Sequence, residues 1–176
     1  MNCAILLDSG PLGKFVHQRK TFQAEISLLN NFAKAEGISI LVPEIIEIEL
    51  KEELLKRDFI KSISKLNKFK RQDRIIPIND SDRSLSIVIE KDLKSQGQPV
   101  ASSIPSNDGI LVAQAINLKL SLRYQRVIIL TENTKHLLAL SNKQIAIWDY
   151  PEVISKLTND IQPDLVNVVN IPPASP

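Results

Sequence analysis

Short apolar runs of strand type alternate along this chain with longer stretches of helical periodicity. That alternation is what most constrains its fold. Strands separated by helices favour a parallel sheet covered on both faces, because each crossover must pack back onto the sheet. The first run, CAILLD from Cys3 to Asp8, is continuously apolar, as a strand buried on both faces should be. Ser9, Gly10 and Pro11 are expected to break it. Thr21 to Lys34 has helical spacing, with Phe22, Ile26 and Leu29 on one side and Gly37 as a natural stop. Ile38 to Val42 reads as a second strand. Pro43 suits the first turn of a long helix reaching about Lys70, with Glu44 and Glu47 near its positive end.

Further on, Arg74 to Ile78 is a short strand or an apolar connector, and Asp80 or Ser81 caps a helix running to about Ser95. Gln96 to Pro105 is a loop rich in Gly, Pro and Ser. Ser106 or Asn107 caps a helix to about Arg123. Val127 to Thr131 is a strand, Thr134 to Leu140 a short helix, and Gln144 to Trp148 a last strand. The tail from about Pro163 is expected to be loose at its end.

With 176 residues, 43% hydrophobic and 24% charged, the chain can bury the core of one domain. It has the composition of a globular protein, not a disordered one. No apolar run approaches the roughly 20 residues of a membrane helix. No basic segment precedes the apolar start, so no signal peptide is expected, and a cytoplasmic protein is the plain expectation. Cys3 is the single cysteine, which excludes an internal disulfide and a thiolate metal cluster. Net charge is only +2, but its distribution is uneven: Lys51 to Arg74 holds nine Lys and Arg against four acids. Such a stretch could steer a phosphate backbone, or be an ordinary solvated face.

In parallel sheets the active site lies beyond the carboxyl ends of the strands. Three acids stand out on that ground. Asp8 follows the first strand, where it is a capping residue or a site residue. Glu49 follows Ile45 and Ile46 at helical spacing, so it points toward the apolar face, where a carboxylate needs a partner or a metal. Glu47 lies on the other side with Lys51 four residues on, and is expected to be a solvated acid. Glu53 is a weaker supporting candidate. Asp108 heads an apolar helix with a neighbouring residue free to cap it. Thr131 and Asn133, after a later strand, could hold a ligand water or a neighbouring acid, or cap the next helix. His136, one turn on, is expected to be a bystander.

The segments LLDSGPL (6–12), VPEIIEIEL (42–50), NDGILVAQA (107–115) and ILTENTKHL (129–137) together resemble a PIN domain, and specifically the VapC-like toxins of type II toxin–antitoxin systems. The family pattern maps onto Asp8, Glu49, Asp108, and Thr131 with Asn133. The four segments stand in family order over about residues 1–148. The chain departs from the pattern at Asn133, which is neutral where the family has a fourth acid.

The resemblance implies a three-layer α/β/α PIN-like fold with a central, mainly parallel sheet of about five strands, spanning residues 1–162 and followed by a tail, 163–176. It implies a metal-dependent endoribonuclease using Mg²⁺ or Mn²⁺, with Asp8, Asp108 and Glu49 at the metal and Thr131 and Asn133 in support. It also implies RNA as substrate, a cognate antitoxin and a homodimer. Three carboxylates suit such a hard cation, which favours oxygen ligands. The alternative is a PIN-fold nucleic-acid-binding protein with weak or no activity. A phosphatase with Asp8 as nucleophile would want a second Asp two residues on, where this chain has Gly10. A plain interaction domain would make all the acids caps.

Overall fold

The computed structural model describes residues 2–98, 105–141 and 144–164. Five strands form one sheet: β1 (Cys3–Leu7), β2 (Ile38–Pro43), β3 (Ile75–Ile76), β4 (Arg126–Thr131) and β5 (Ala146–Asp149). All pairings are parallel, and the order is β3-β2-β1-β4-β5. β1 is central and buried along its whole length, as its unbroken apolar run requires. The helices cover the sheet, giving the three-layer α/β/α architecture that the resemblance implies. The tail beyond Asp164 and most of the Gly-, Pro- and Ser-rich loop lie outside the described residues.

The helices are α1 (Ser9–Val16), α2 (Lys20–Ala35), α3 (Glu44–Lys56), α4 (Ile60–Arg71), α5 (Asp80–Ser95), α6 (Asn107–Leu120), α7 (Thr134–Ser141) and α8 (Tyr150–Thr158). Three of them correct the sequence reading. Ser9, Gly10 and Pro11 follow the end of the strand as expected, but they also open α1, a helix the sequence reading did not include. Asp8 is the extended residue before that helix, and its carboxylate accepts from the Ser9 amide at 2.7 Å. Pro11 falls in the first turn, where an amide hydrogen would have no helical partner.

The long helix expected from Pro43 to about Lys70 is two helices. Asp58 takes a left-handed conformation at φ 55. The Phe59 amide then donates to Leu54 O and the Asp58 amide to Leu55 O, a Schellman ending. α8 follows β5 directly, capped by Asp149, whose carboxylate accepts from the Glu152 amide at 2.9 Å. Smaller shifts occur at α5, which Asn79 caps in place of Asp80 or Ser81, and at α6, which stops at Leu120 instead of Arg123.

The core lies on both sides of β1 and β4, from Leu12 and Leu29 to Leu111, Val112 and Leu137. α6 is buried continuously from Gly109 to Ile116, because it packs against β4, α5, α7 and α3 together. Its approach to α3 is what brings Asp108 toward Glu49.

Candidate active site

The chain leaves β1 toward β2 and β3, then returns to the other side of β1 with β4. The strand order therefore reverses between β1 and β4, and a crevice opens at their carboxyl ends. Asp8 ends one of these strands and Thr131 the other. The Asp8 amide donates to Leu130 O at 3.0 Å, continuing the ladder. The Thr131 hydroxyl donates to Asp8 Oδ2 at 2.6 Å. Asp8 is 9% exposed and Thr131 fully buried, so this bond is sheltered from water. Asp8 is thus both a helix cap and an anchored carboxylate at the crevice mouth.

Glu49 comes from α3 and is half-buried. Its Oε2 accepts from Asn107 Nδ2 at 2.9 Å. Ser106 is the residue that caps α6, accepting from the Gly109 amide at 3.0 Å, and this leaves the Asn107 side chain free for Glu49. Asp108 Oδ2 lies 3.4 Å from His136 Nε2. His136 therefore belongs to the site's surroundings, contrary to the bystander expectation. Burial pushes the Asp108 carboxyl above its usual range, and Asp8, Glu49 and Glu90 push the same way by like-charge repulsion, against the pull of His136. Asp8, Glu49 and Asp108 thus share one electrostatic field.

Asn133 contributes differently from Thr131. Its backbone amide donates to Thr131 Oγ1 at 2.9 Å, and its side chain is exposed. Glu132 pairs with Lys14 at 2.6 Å, and Lys14 also sits 4.2 Å from the Tyr150 ring centroid. Glu47 pairs with Lys51 at 3.5 Å as expected, but its side chain is only 12% exposed, so it is no solvated acid. Glu53 is exposed and pairs with Arg57 at 2.8 Å.

Among the described residues, no three His, Cys, Asp or Glu side chains are gathered tightly enough to form a ready coordination group. Each acid is held by a neighbour: Asp8 by Thr131 and Ser9, Glu49 by Asn107, Asp108 by His136. The chemistry of the set still fits a hard divalent cation, which would relieve the repulsion among three oxygen donors. A groove of about 300 Å³ runs from Ser9 and Gly10 along α1, past Lys14 and His17, to Arg57 and Phe59.

Comparison with known proteins bears on the fold. No protein-family model matches the chain, and no curated protein matches it. Solved structures do. A chain of VapBC2 from Rickettsia felis, bound to a DNA fragment from its promoter, superposes with a TM-score of 0.59 at 17% identity, covering 83% of this chain and 98% of that one. A chain of FitAcB from Neisseria gonorrhoeae gives 0.53 at 16% identity over 83% and 97%. DNA-bound VapBC from Salmonella typhimurium gives 0.53 at 14% identity over 84% and 98%. The chain has a PIN-like fold, and the solved structures it resembles are chains of VapBC and FitAcB complexes.

Proposed function

We propose that this chain is a metal-dependent endoribonuclease and the toxin of a toxin–antitoxin pair. The observation that carries the reading is geometric: Asp8 is anchored by Thr131 at the β1–β4 crevice, and the Glu49–Asn107 bond ties α3 to the start of α6, which Asp108 heads. A site that concentrates negative charge is poorly suited to a phosphodiester until a cation enters it. Asp8, Asp108 and Glu49 would hold Mg²⁺ or Mn²⁺. The bound cation would supply an activated water and offset charge growing on the attacked phosphate. Thr131 fixes the Asp8 carboxylate, and Asn107 fixes the Glu49 carboxylate. With Asn133 neutral and exposed, a second firmly held metal is not part of this reading. The VapBC and FitAcB likenesses support an antitoxin partner, and a homodimer is the expected assembly.

The test is expression of wild type beside Asp8→Asn, scoring growth arrest and RNA cleavage with Mg²⁺, Mn²⁺ or EDTA. Arrest and cleavage should depend on Asp8 and on the metal. Equal toxicity from both proteins would overturn the mechanism. The neutral Asn133 favours one second reading, a nucleic-acid-binding protein without cleavage. RNA binding that survives EDTA, with no cleavage by wild type, would establish it.

A further inference from the structure

Glu90 lies on α5 and is 1% exposed, yet nothing in the proposed reaction uses it. A carboxylate this deep costs free energy unless it is hydrogen-bonded. Replacing such a group by a well-packed apolar side chain is often neutral or stabilising, so stability alone explains it poorly. Among the described residues, its bonds all go to Ser106. The Ser106 amide donates to both Glu90 oxygens, at 3.1 Å each, and the Ser106 hydroxyl donates to Oε1. The same Ser106 oxygen accepts from the Gly109 amide.

Gly109 gives an independent sign of how closely the two helices are fitted. A Cβ there would stand 2.7 Å from Glu90 Oε1 and 2.8 Å from its Cδ. The carboxylate is buried and tied to Ser106, so it has little freedom to retreat. Asn107 and Asp108 lie between Ser106, which Glu90 binds, and Gly109, which Glu90 closely approaches. Asn107 holds Glu49, and Asp108 faces Asp8, Glu49 and His136.

We infer that Glu90 is a positioning residue: by gripping Ser106 against α5 it sets the first turn of α6, and with it the places of Asn107 and Asp108 in the acidic site. The inference rests on the metal-dependent reading of that site.

Two variants separate positioning from general stability. Glu90→Gln keeps an acceptor for the Ser106 amide, whereas Glu90→Met keeps the volume and loses the bonds. Amide hydrogen exchange at Ser106 and Gly109 is measured beside Mn²⁺ affinity by calorimetry. Glu90→Met should stay folded, exchange faster at both amides and bind Mn²⁺ about tenfold or more weakly, as loss of supporting bonds behind metal ligands does. Glu90→Gln should restore most of both. If Glu90→Met does not fold, Ser106→Ala tests the same link from the other side and should speed exchange at Gly109. Wild-type exchange and Mn²⁺ affinity in a folded Glu90→Met protein, or in Ser106→Ala, would overturn the inference. Absence of Mn²⁺ binding by wild type would instead overturn the metal reading, and the exchange comparison would then decide the role of Glu90.

Discussion

Thr131 is the residue on which the crevice geometry turns most directly. Its buried hydroxyl is 2.6 Å from Asp8 Oδ2 and also receives the Asn133 amide. Thr131→Val keeps the shape and removes both bonds. It should lower stability by about 1–3 kcal/mol, the cost of leaving a buried acceptor unpaired, and reduce cleavage, whereas Thr131→Ser should keep most of both. Urea denaturation and an RNA cleavage assay check this.

Asp108 makes a different prediction, in pH. Its folded-state carboxyl is pushed above the unfolded value by burial and by Asp8. Between those two values the native state holds more protons than the unfolded chain, so stability falls as pH rises through that window. In EDTA, Asp108→Asn should therefore be the more stable protein at neutral pH, with the gap closing below the ordinary carboxylate range. Thermal melts across that range check it, and a wild type more stable at neutral pH would contradict it. That Asp8, Glu49 and Asp108 come near one another was legible in the sequence because strand ends and helical spacing are local signals. Asn107, Glu90 and His136 were not. Their roles depend on how α5, α6 and α7 dock, and no local pattern in the sequence encodes that.

Among the elements, the sequence was least legible where a helix begins or ends without its usual marker. Gly37 and Gly97 take left-handed conformations after α2 and α5, and the first was read correctly as a stop. The end of α3 uses Asp58 in the same role, inside a charged run with good helix formers on either side, so nothing local announced the break. α1 was hidden for the opposite reason: Ser-Gly-Pro looks like a turn, and only the Asp8 cap makes it a helix start. α6 ends with Leu122 at φ 60, which is 88% exposed. A β-carbon in that region costs about 1–2 kcal/mol, and glycine's extra freedom in the unfolded chain returns roughly half of it. Leu122→Gly should thus stabilise the protein by roughly 0.5–1 kcal/mol, since almost no buried surface is lost. Chemical denaturation should show a higher midpoint with unchanged slope; a lower midpoint would mean that Leu122 packs against something.

For the whole molecule, alternation was enough to read a mainly parallel sheet between helices, but not the order β3-β2-β1-β4-β5, which is set by long-range pairing. The basic stretch from Lys51 to Arg74 also needed the folded chain before its members could be sorted. Lys51 and Arg57 pair with Glu47 and Glu53. Lys65 donates to His17 O at 3.0 Å, and Arg74 donates to Ile40 O at 2.8 Å while lying over the Phe69 ring. The first two pairs stay within α3 and its C-terminal cap, one turn apart, whereas Lys65 ties α4 to the end of α1 and Arg74 ties the segment after α4 to β2. Lys56, Lys61, Lys68, Lys70 and Arg71 stay exposed, with no ion pair among the described residues. Lys61 and Lys68 are seven residues apart on α4 and share one face. If that face tracks single-stranded RNA, each lysine releases counterions on binding. The double substitution Lys61→Gln with Lys68→Gln should then reduce the slope of log affinity against log salt by about 1.4, at roughly 0.7 for each lost phosphate contact. Fold and Mn²⁺ affinity should be unchanged, because neither exposed lysine pairs with Asp8, Glu49 or Asp108. RNA titrations at several salt concentrations measure the slope. An unchanged slope would take RNA off this face and leave it to the antitoxin or to a second copy of the chain.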